Sequence, residues 1–162
     1  MKNETLYIRD ERGEFVPADG TEIVQAAKAY LNRRVKRSNP LTSPQTARDY
    51  LAVTLGARDS ESFCVLLLDS RSRVIDFVEL FQGTIDGASV YPREVVKLAL
   101  TRAAASVILV HNHPSGVAEP SRADEMITTR LKDALNLVDI RTVDHLIVAG
   151  GAVASMAEKG LL

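Results

Sequence analysis

The chain has 162 residues, of which 46% are hydrophobic and 25% are charged, and its formal net charge is −1. This length fits a single domain, and the composition is too apolar for an intrinsically disordered chain. A net charge near zero gives no overall field that attracts a polyanion, which argues against nucleic acid as an obligatory partner.

The sequence contains a single cysteine, Cys64, so an internal disulfide is excluded. Cys64 lies in an apolar run at residues 63 to 68, where packing is a more natural role for the thiol than nucleophilic attack. No apolar stretch approaches the roughly 18 residues that span a bilayer, and the first residues lack the apolar core of a secretion signal. We therefore expect a cytoplasmic protein that does not enter a membrane.

Residues 1 to 40 are expected to form an N-terminal extension with one helix. The first 20 residues are polar and contain glycine and proline, which favours irregular or short β structure. From Asp19 or Thr21 to about Arg37 the apolar residues recur at helical spacing, and Asn39-Pro40 closes the segment. The last turns carry the basic cluster, Arg33-Arg34-Val35-Lys36-Arg37. These side chains can contact phosphates, but they also complement the helix dipole and are typical of a solvated face.

Residues 41 to 162 are expected to form one domain of mixed α and β structure. Hydrophobic periodicity and turn residues predict its elements in this order: helix 44 to 55, strands 63 to 68 and 74 to 81 as a hairpin, helix from 91, strand 106 to 110, helix from 121 to about 139, strand 141 to 149 and a short strand at 153. The helix from 121 is expected to bury Met126, Ile127, Leu131, Ala134 and Leu135 as one apolar stripe. The predicted fold class is α/β (mixed α+β), a single mixed sheet flanked by helices on both faces.

Two histidines follow the predicted buried strand at 106 to 110. In extended chain, residues two apart project to the same side, so His111 and His113 can reach one ion. A turn at Pro114 to Gly116 can reverse the chain and bring the first turn of the next helix back, with Asp124 as a third ligand and Ser121 beside it. A catalytic zinc site usually has three protein ligands and leaves one position for water. The sequence therefore predicts a hydrolytic zinc site.

Each half of this pattern also has an ordinary structural explanation. Ser121 and Asp124 have the spacing of an N-cap residue and an acidic N3 residue at a helix start. A lone His-x-His is a weak metal motif. Asn112 points away from its two neighbours and is expected to fix the loop. His145 is expected to lie in the core or to orient a ligand histidine, because a fourth protein ligand would close the catalytic position.

The base that takes a proton from the activated water must be a carboxylate, and two glutamates are candidates. Glu61 immediately precedes the predicted strand at 63 to 68. Glu79 is expected to share a strand face with Ile75, Phe77 and Phe81, where it would be structural and could pair with an arginine. The residues alone leave both Glu61 and Glu79 open as the base.

The full pattern, H-x-H-x(7)-S-x-x-D, resembles the JAMM (MPN-type) metalloproteases, which add an upstream Glu. The longer strings at 111 to 116 (HNHPSG) and 120 to 124 (PSRAD) resemble the bacterial RadC branch of that family. The likeness extends over residues 43 to 162. Longer RadC proteins carry an N-terminal region with a helix-hairpin-helix element, of which the first forty residues show no sign, so a short form is expected.

The resemblance implies a JAMM/MPN architecture, similar to that of cytidine deaminases, and a zinc metallopeptidase that cleaves a peptide or isopeptide amide in a peptide or protein substrate. It implies Zn²⁺ held by His111, His113 and Asp124, with Glu61 as general base and Ser121 as a donor to the developing oxyanion. The alternatives are a nucleic-acid-associated accessory protein that uses the basic cluster, or an interaction module without catalysis. The natural substrate and the oligomeric state are not specified by the sequence.

Overall fold

The computed structural model describes the backbone of residues 5–37, 44–83 and 90–162, together with their side chains except those of residues 32–37 and 44. The described chain forms four helices, α1 (Gly20–Arg37), α2 (Pro44–Leu55), α3 (Pro92–Thr101) and α4 (Arg122–Asn136). It also forms seven strands, β1 (Tyr7–Arg9), β2 (Phe15–Pro17), β3 (Ser62–Leu68), β4 (Val74–Gln82), β5 (Ser106–Asn112), β6 (Arg141–Ala149) and β7 (Ala152–Ser155). None of the described helices is both long enough and apolar enough to cross a membrane.

The main sheet has five strands in the order β4-β3-β5-β6-β7. Neighbouring strands in this sheet are antiparallel, except that β5 and β6 are parallel and are connected through α4. The predicted mixed sheet and the predicted 63 to 81 hairpin are therefore confirmed. The N-terminal residues add a separate two-stranded antiparallel sheet of β1 and β2, which matches the expectation of a short β extension.

The main sheet is covered by helices on both faces, as predicted. Alternate residues of β3 point to opposite sides, because side chains of a strand alternate. Phe63, Val65 and Leu67 pack with residues of α3 and α4, and we call this side the α4 face. Cys64, Leu66 and Leu68 pack with residues of α2, and we call this side the α2 face. Because β3 and β5 are buried along their whole length, the residues that follow β5 emerge directly from the core.

Strand β4 departs from simple alternation at one point. Phe63 pairs with Phe81, whereas the next residue, Cys64, pairs with Glu79, so the register shifts by one residue there. Phe81 consequently packs on the α4 face, and Glu79 lies opposite Cys64 of the α2 face. The expectation that Glu79 and Phe81 share a face was wrong, because an extra residue in one strand moves the following side chains to the other side.

Helix α4 buries a narrower stripe than the sequence suggested. Ile127, Leu131 and Leu135 are buried as expected, but Met126 is 61% exposed. The buried line of α4 instead includes Asp124 and Thr128, which have the i, i+4 spacing of residues on one helix face. The helix thus brings polar side chains into the core on the α4 face.

The α2 face is completed by a close backbone approach. A Cβ atom added to Gly56, just after α2, would lie 2.0 Å from the carbonyl oxygen of Gly150 in the turn between β6 and β7. Cys64 is fully buried on the same face, and burial raises the pKa of its thiol to about 12. The expectation that Cys64 serves packing is confirmed.

Candidate metal centre

His111 and His113 lie where β5 leaves the core. His111 pairs with Phe63 of β3 and is 1% exposed on the α4 face. The backbone N–H of His113 donates to the carbonyl of Val148 at 2.8 Å, which continues the contact between β5 and β6 beyond Asn112. The chain then turns, with the N–H of Gly116 donating to the carbonyl of His113 at 3.1 Å. The predicted turn is confirmed, and it sends the chain back towards α4.

Asp124 is presented by the first turn of α4, which begins after the N-cap residue Ser121. The backbone N–H and the hydroxyl of Ser121 donate to Oδ2 of Asp124 at 2.7 Å and 2.6 Å. In return, the N–H of Asp124 donates to the hydroxyl oxygen of Ser121 at 3.2 Å. The capping interpretation is confirmed, and this cap also fixes the orientation of the Asp124 carboxylate.

The side chains of His111, His113 and Asp124 converge on one point. The Nε2 atoms of the two histidines are 2.9 Å apart. Nε2 of His111 is 3.0 Å from Oδ1 of Asp124, and Nε2 of His113 is 3.4 Å from Oδ2. Among the described residues these three form a group whose ligand atoms all lie within 4.8 Å of one another and which can hold a metal ion.

The hydrogen-bond partners and charges of this group fit a cation. Nδ1 of His113 is 2.8 Å from the carbonyl oxygen of Val117, which can only accept, so Nδ1 carries the ring hydrogen and Nε2 has a lone pair. Burial raises the pKa of Asp124, but the contact with His111 and the hydrogen bonds from Ser121 outweigh burial and hold that pKa below its usual value. A lone pair and an ionised carboxylate therefore face the same point, which is the donor set of a metal site.

Glu61 lies just before β3 and two residues ahead of Phe63. In an extended chain, side chains two residues apart project to the same side. The side chain of Asn112, between the two histidines, holds the backbone on both sides of Glu61. Its Oδ1 accepts from the N–H of Ser62 at 2.8 Å, and its Nδ2 donates to the carbonyl of Ser60 at 3.1 Å. The expectation that Asn112 fixes a loop is confirmed, and the segment it fixes is the one that carries Glu61.

The structure places Glu79 away from the three converging ligands. Its carboxylate accepts a hydrogen bond from Arg58 at 2.7 Å, and this bond is the main reason why the pKa of Glu79 is lowered. Glu79 pairs in register with Cys64 of the α2 face, whereas His111 is on the α4 face with Phe63. The alternative interpretation of Glu79, a structural carboxylate paired with an arginine, is confirmed.

His145 lies on β6 beside Leu109 of β5 and is fully buried. Its Nε2 is 2.8 Å from Nδ1 of His111, so it contacts the His111 ring on the side opposite the converging atoms. Burial, followed by the charge of His111, holds the pKa of His145 well below its usual value. His145 therefore packs behind His111, as expected.

Sequence reasoning missed Thr128. Its Oγ1 is 2.5 Å from Nδ1 of His145, so it extends the chain of contacts that begins at His111. The available indication was its position four residues after Asp124, which places both side chains on one face of α4. That spacing does not identify the contact between Thr128 and His145 unless the packing of α4 against β6 is known.

The comparisons with known proteins agree with this geometry. The model of the RadC-like JAB domain family matches residues 41–161. Among curated relatives, UPF0758 proteins from Nitrosococcus oceani and Aeromonas hydrophila are 59% and 56% identical over 139 and 140 residues, each covering 86% of this chain and 62% of the relative. A UPF0758 protein from Halorhodospira halophila is 49% identical over 159 residues, covering 98% of this chain and 71% of the relative.

The chain thus spans about 62% of the length of the first two relatives. The family model covers the hairpin, the strand that carries His111, the cap at Ser121 and β6 with His145. The mixed five-stranded sheet agrees with a JAB/MPN fold, which is a metalloprotease-type fold. The resemblance inferred from the HNHPSG and PSRAD strings is confirmed: the chain belongs to the RadC-like JAB domain family.

Proposed function

We propose that this domain is a zinc-dependent hydrolase of metallopeptidase type, which cleaves a peptide or isopeptide amide. The observation that carries the proposal is the convergence of two Nε2 atoms and one ionised carboxylate on a single point at the end of a buried strand. Membership of a family with a metalloprotease-type fold supports it. We assign His111, His113 and Asp124 as the ligands.

These ligands suit zinc, and the metalloprotease-type fold of the family favours it over iron(II), which the same ligand set also binds. Two imidazole nitrogens and one carboxylate are a common set for a catalytic zinc with an open position, whereas calcium and magnesium prefer oxygen ligands alone. The burial of His111 and Asp124 supports such a site, because a low-dielectric surrounding strengthens the attraction between the ligands and a cation. A bound zinc ion supplies Lewis acidity and makes water easier to deprotonate.

The chain's own residues supply the proton transfers. In the proposed reaction Glu61 takes a proton from the attacking water as the water oxygen bonds to the amide carbon. When the carbon–nitrogen bond breaks, Glu61 gives that proton to the leaving nitrogen. Asn112 supports this role by holding residues 60 and 62 on each side of Glu61.

Ser121 is proposed to donate a hydrogen bond to the carbonyl oxygen as negative charge develops on it. Its hydroxyl donates to Oδ2 of Asp124 in this structure, so it must turn towards the substrate to do so. The Ser121 backbone N–H also donates to Oδ2 and would keep the carboxylate in place during that turn. Loss of one such donor typically slows a reaction by about 10²- to 10³-fold.

The substrate class, the cytoplasmic location and the division into an extension at residues 1–40 and a domain at residues 41–162 remain proposals. A nucleic-acid-associated role depends on the basic cluster. Its backbone belongs to α1, as predicted, but its side chains lie outside the described residues. We therefore keep the hydrolase as the proposed function.

The two glutamates provide a matched test. Purified wild-type protein, Glu61→Gln and Glu79→Gln would be incubated with a peptide library and with an isopeptide-linked substrate, and zinc would be measured in each sample. We expect Glu61→Gln to lose about 10²- to 10⁴-fold in cleavage rate while keeping its zinc. Glu79→Gln should cleave like the wild type. Equal cleavage by Glu61→Gln and the wild type would reject the base, and a wild type without zinc would reject the proposed function.

A further inference from the structure

We propose that Thr128 and His145 are positioning residues that determine which nitrogen of His111 faces the metal ion. They form a chain of hydrogen bonds with one allowed direction, from His111 through His145 and Thr128 to the backbone of Asp124. This inference deepens the proposed function and rests on its assignment of His111 as a ligand.

The direction of the chain is fixed at the backbone end. Oγ1 of Thr128 lies 2.5 Å from the carbonyl oxygen of Asp124 and 2.5 Å from Nδ1 of His145. A hydroxyl has one hydrogen to give, and a carbonyl oxygen can only accept. The Thr128 hydroxyl therefore donates to the Asp124 carbonyl, and its oxygen accepts from Nδ1 of His145.

The hydrogen positions on the imidazoles of His145 and His111 follow from the same rule. A neutral imidazole has one N–H, so a hydrogen on Nδ1 of His145 leaves a lone pair on its Nε2. That Nε2 lies 2.8 Å from Nδ1 of His111, which must donate to it. His111 then has its lone pair on Nε2, the atom that lies 3.0 Å from Oδ1 of Asp124. The ligand nitrogen is thus prepared for a cation before the cation arrives.

The reverse direction is unfavourable in this geometry. If Thr128 donated to His145, its oxygen and the Asp124 carbonyl would face each other at 2.5 Å with no hydrogen between them. A buried polar group without a hydrogen-bond partner is unfavourable. The reversed chain would also put a hydrogen on Nε2 of His111, where the ion has to bind. The unpaired contact between Thr128 and the Asp124 carbonyl selects the forward direction, which also leaves Nε2 of His111 free for an ion.

The three side chains of this hydrogen-bond chain are buried, so they depend on one another for their hydrogen bonds. His111, His145 and Thr128 are each at most 1% exposed. The ring of Phe63 packs against both imidazoles, with centroid distances of 6.3 Å to His111 and 5.6 Å to His145. Exclusion of solvent makes it difficult for water to replace Thr128 as the acceptor. Because Asp124 and Thr128 share one helix turn, α4 supplies both a ligand and the group that orients another ligand.

The first test needs no variant. The chain has three histidines, and all three belong to this cluster, so each imidazole can be assigned in a nitrogen-15 NMR spectrum. The metal-free protein would be measured at about pH 8, where an ordinary imidazole is neutral. We expect His111 and His145 to carry their hydrogen on Nδ1. A hydrogen on Nε2 of either residue would overturn the proposal.

The second test measures zinc affinity by competition with a chelator. Thr128→Val removes the acceptor for His145 at nearly constant volume, and we expect binding to weaken about 10- to 100-fold. Thr128→Ser keeps the hydroxyl and should bind zinc like the wild type. Thr129→Val is the matched control, since Thr129 makes the same kind of bond to Glu125 at 3.0 Å but is exposed. It should also bind like the wild type.

The proposal would be overturned if folded Thr128→Val bound zinc as tightly as the wild type. It would also be overturned if Thr129→Val lost as much zinc affinity as Thr128→Val. Circular dichroism would establish that each variant is folded, and the NMR measurement decides the question if Thr128→Val is not. A wild-type protein that binds no zinc would reject the proposed function alone. The hydrogen positions of His111 and His145 in the metal-free protein would still test the direction of the chain.

Discussion

The two faces of the main sheet differ in what they bury. The α2 face packs apolar side chains such as Leu51, Leu66 and Val110 around the buried thiol of Cys64. The α4 face has an equally apolar half, built on Val65 and Leu109, but beyond it β5, β6 and α4 carry a cluster of buried polar side chains. These are His111, Asp124, Thr128 and His145. The α2 face also buries polar side chains such as Asn112, but among the described residues it buries no imidazole or carboxylate. One face therefore mainly stabilises the fold, and the other carries the candidate metal centre.

The polar half of the α4 face is tolerated because its groups are paired. Burying a polar group without a partner costs free energy, whereas a satisfied network adds rigidity. The side chains of His111, Asp124, Thr128 and His145 each make at least one of the hydrogen bonds described above. Such a network can hold ligand atoms in place before an ion binds. We therefore expect substitutions on the two faces to separate metal binding from stability.

The largest effect is expected from Asp124→Asn, which removes the one anionic ligand. Four ligands share the roughly 10–16 kcal/mol of a structural zinc-finger site, so loss of the anionic ligand should cost up to about 4 kcal/mol, or roughly 10³-fold in affinity. Glu125→Gln is the matched control, because Glu125 is the other acidic residue in the first turn of α4. Chelator competition would compare the two. Similar affinities in both variants would contradict the assignment.

Gly56→Ala should be the strongest test of the α2 face. The new Cβ would lie 2.0 Å from the Gly150 carbonyl oxygen, so either α2 or the turn between β6 and β7 must move. We expect the free energy of unfolding in urea to fall by about 3 kcal/mol, the upper end of overpacking costs. Zinc affinity of the folded fraction should not change.

Gly151→Ala is the control for that variant, because a Cβ at Gly151 meets nothing within 4 Å. Its free energy of unfolding should stay within about 0.5 kcal/mol of the wild type. If Gly56→Ala were as stable as Gly151→Ala, the close approach behind the sheet would not exist. If Gly56→Ala lost zinc without losing stability, the two faces would not be separable.

The smallest effect is expected at Thr142, which faces the apolar half of the α4 face beside Val107. Its buried hydroxyl finds no hydrogen-bond partner within the part of the chain that the structure describes. Thr142→Val replaces it by a methyl group of similar size and should raise the free energy of unfolding by up to about 1 kcal/mol. Urea unfolding would measure this. A clear loss of stability would show that the hydroxyl is bonded after all.

The sequence predicted the local parts of the site well. The spacing of His111 and His113 after an apolar run, and of Ser121 and Asp124 before a helix, specifies local geometry that needs no knowledge of the rest of the fold. The helices and strands of residues 44–83 and 90–162 followed from periodicity for the same reason. Glu61 and Ser121 as catalytic residues stay predictions.

The features that could not be predicted from the sequence depend on contacts between segments that are distant in the chain. The expectation that Glu79 and Phe81 share a face was wrong because a register shift between β3 and β4 does not appear in the alternation of residues. The contact of His145 with His111 requires the parallel pairing of β5 and β6, and the role of Thr128 requires α4 to lie over both. Met126 was expected to be buried because it is apolar, but the buried line of α4 contains polar residues instead.

The most direct test of the account is a crystal structure of the protein soaked with zinc, with anomalous diffraction measured at the zinc edge. We expect one peak about 2.0–2.2 Å from Nε2 of His111, Nε2 of His113 and a carboxylate oxygen of Asp124, with the fourth position open to water. A cluster without a peak, or a peak whose fourth position is filled by another side chain of the protein, would contradict it.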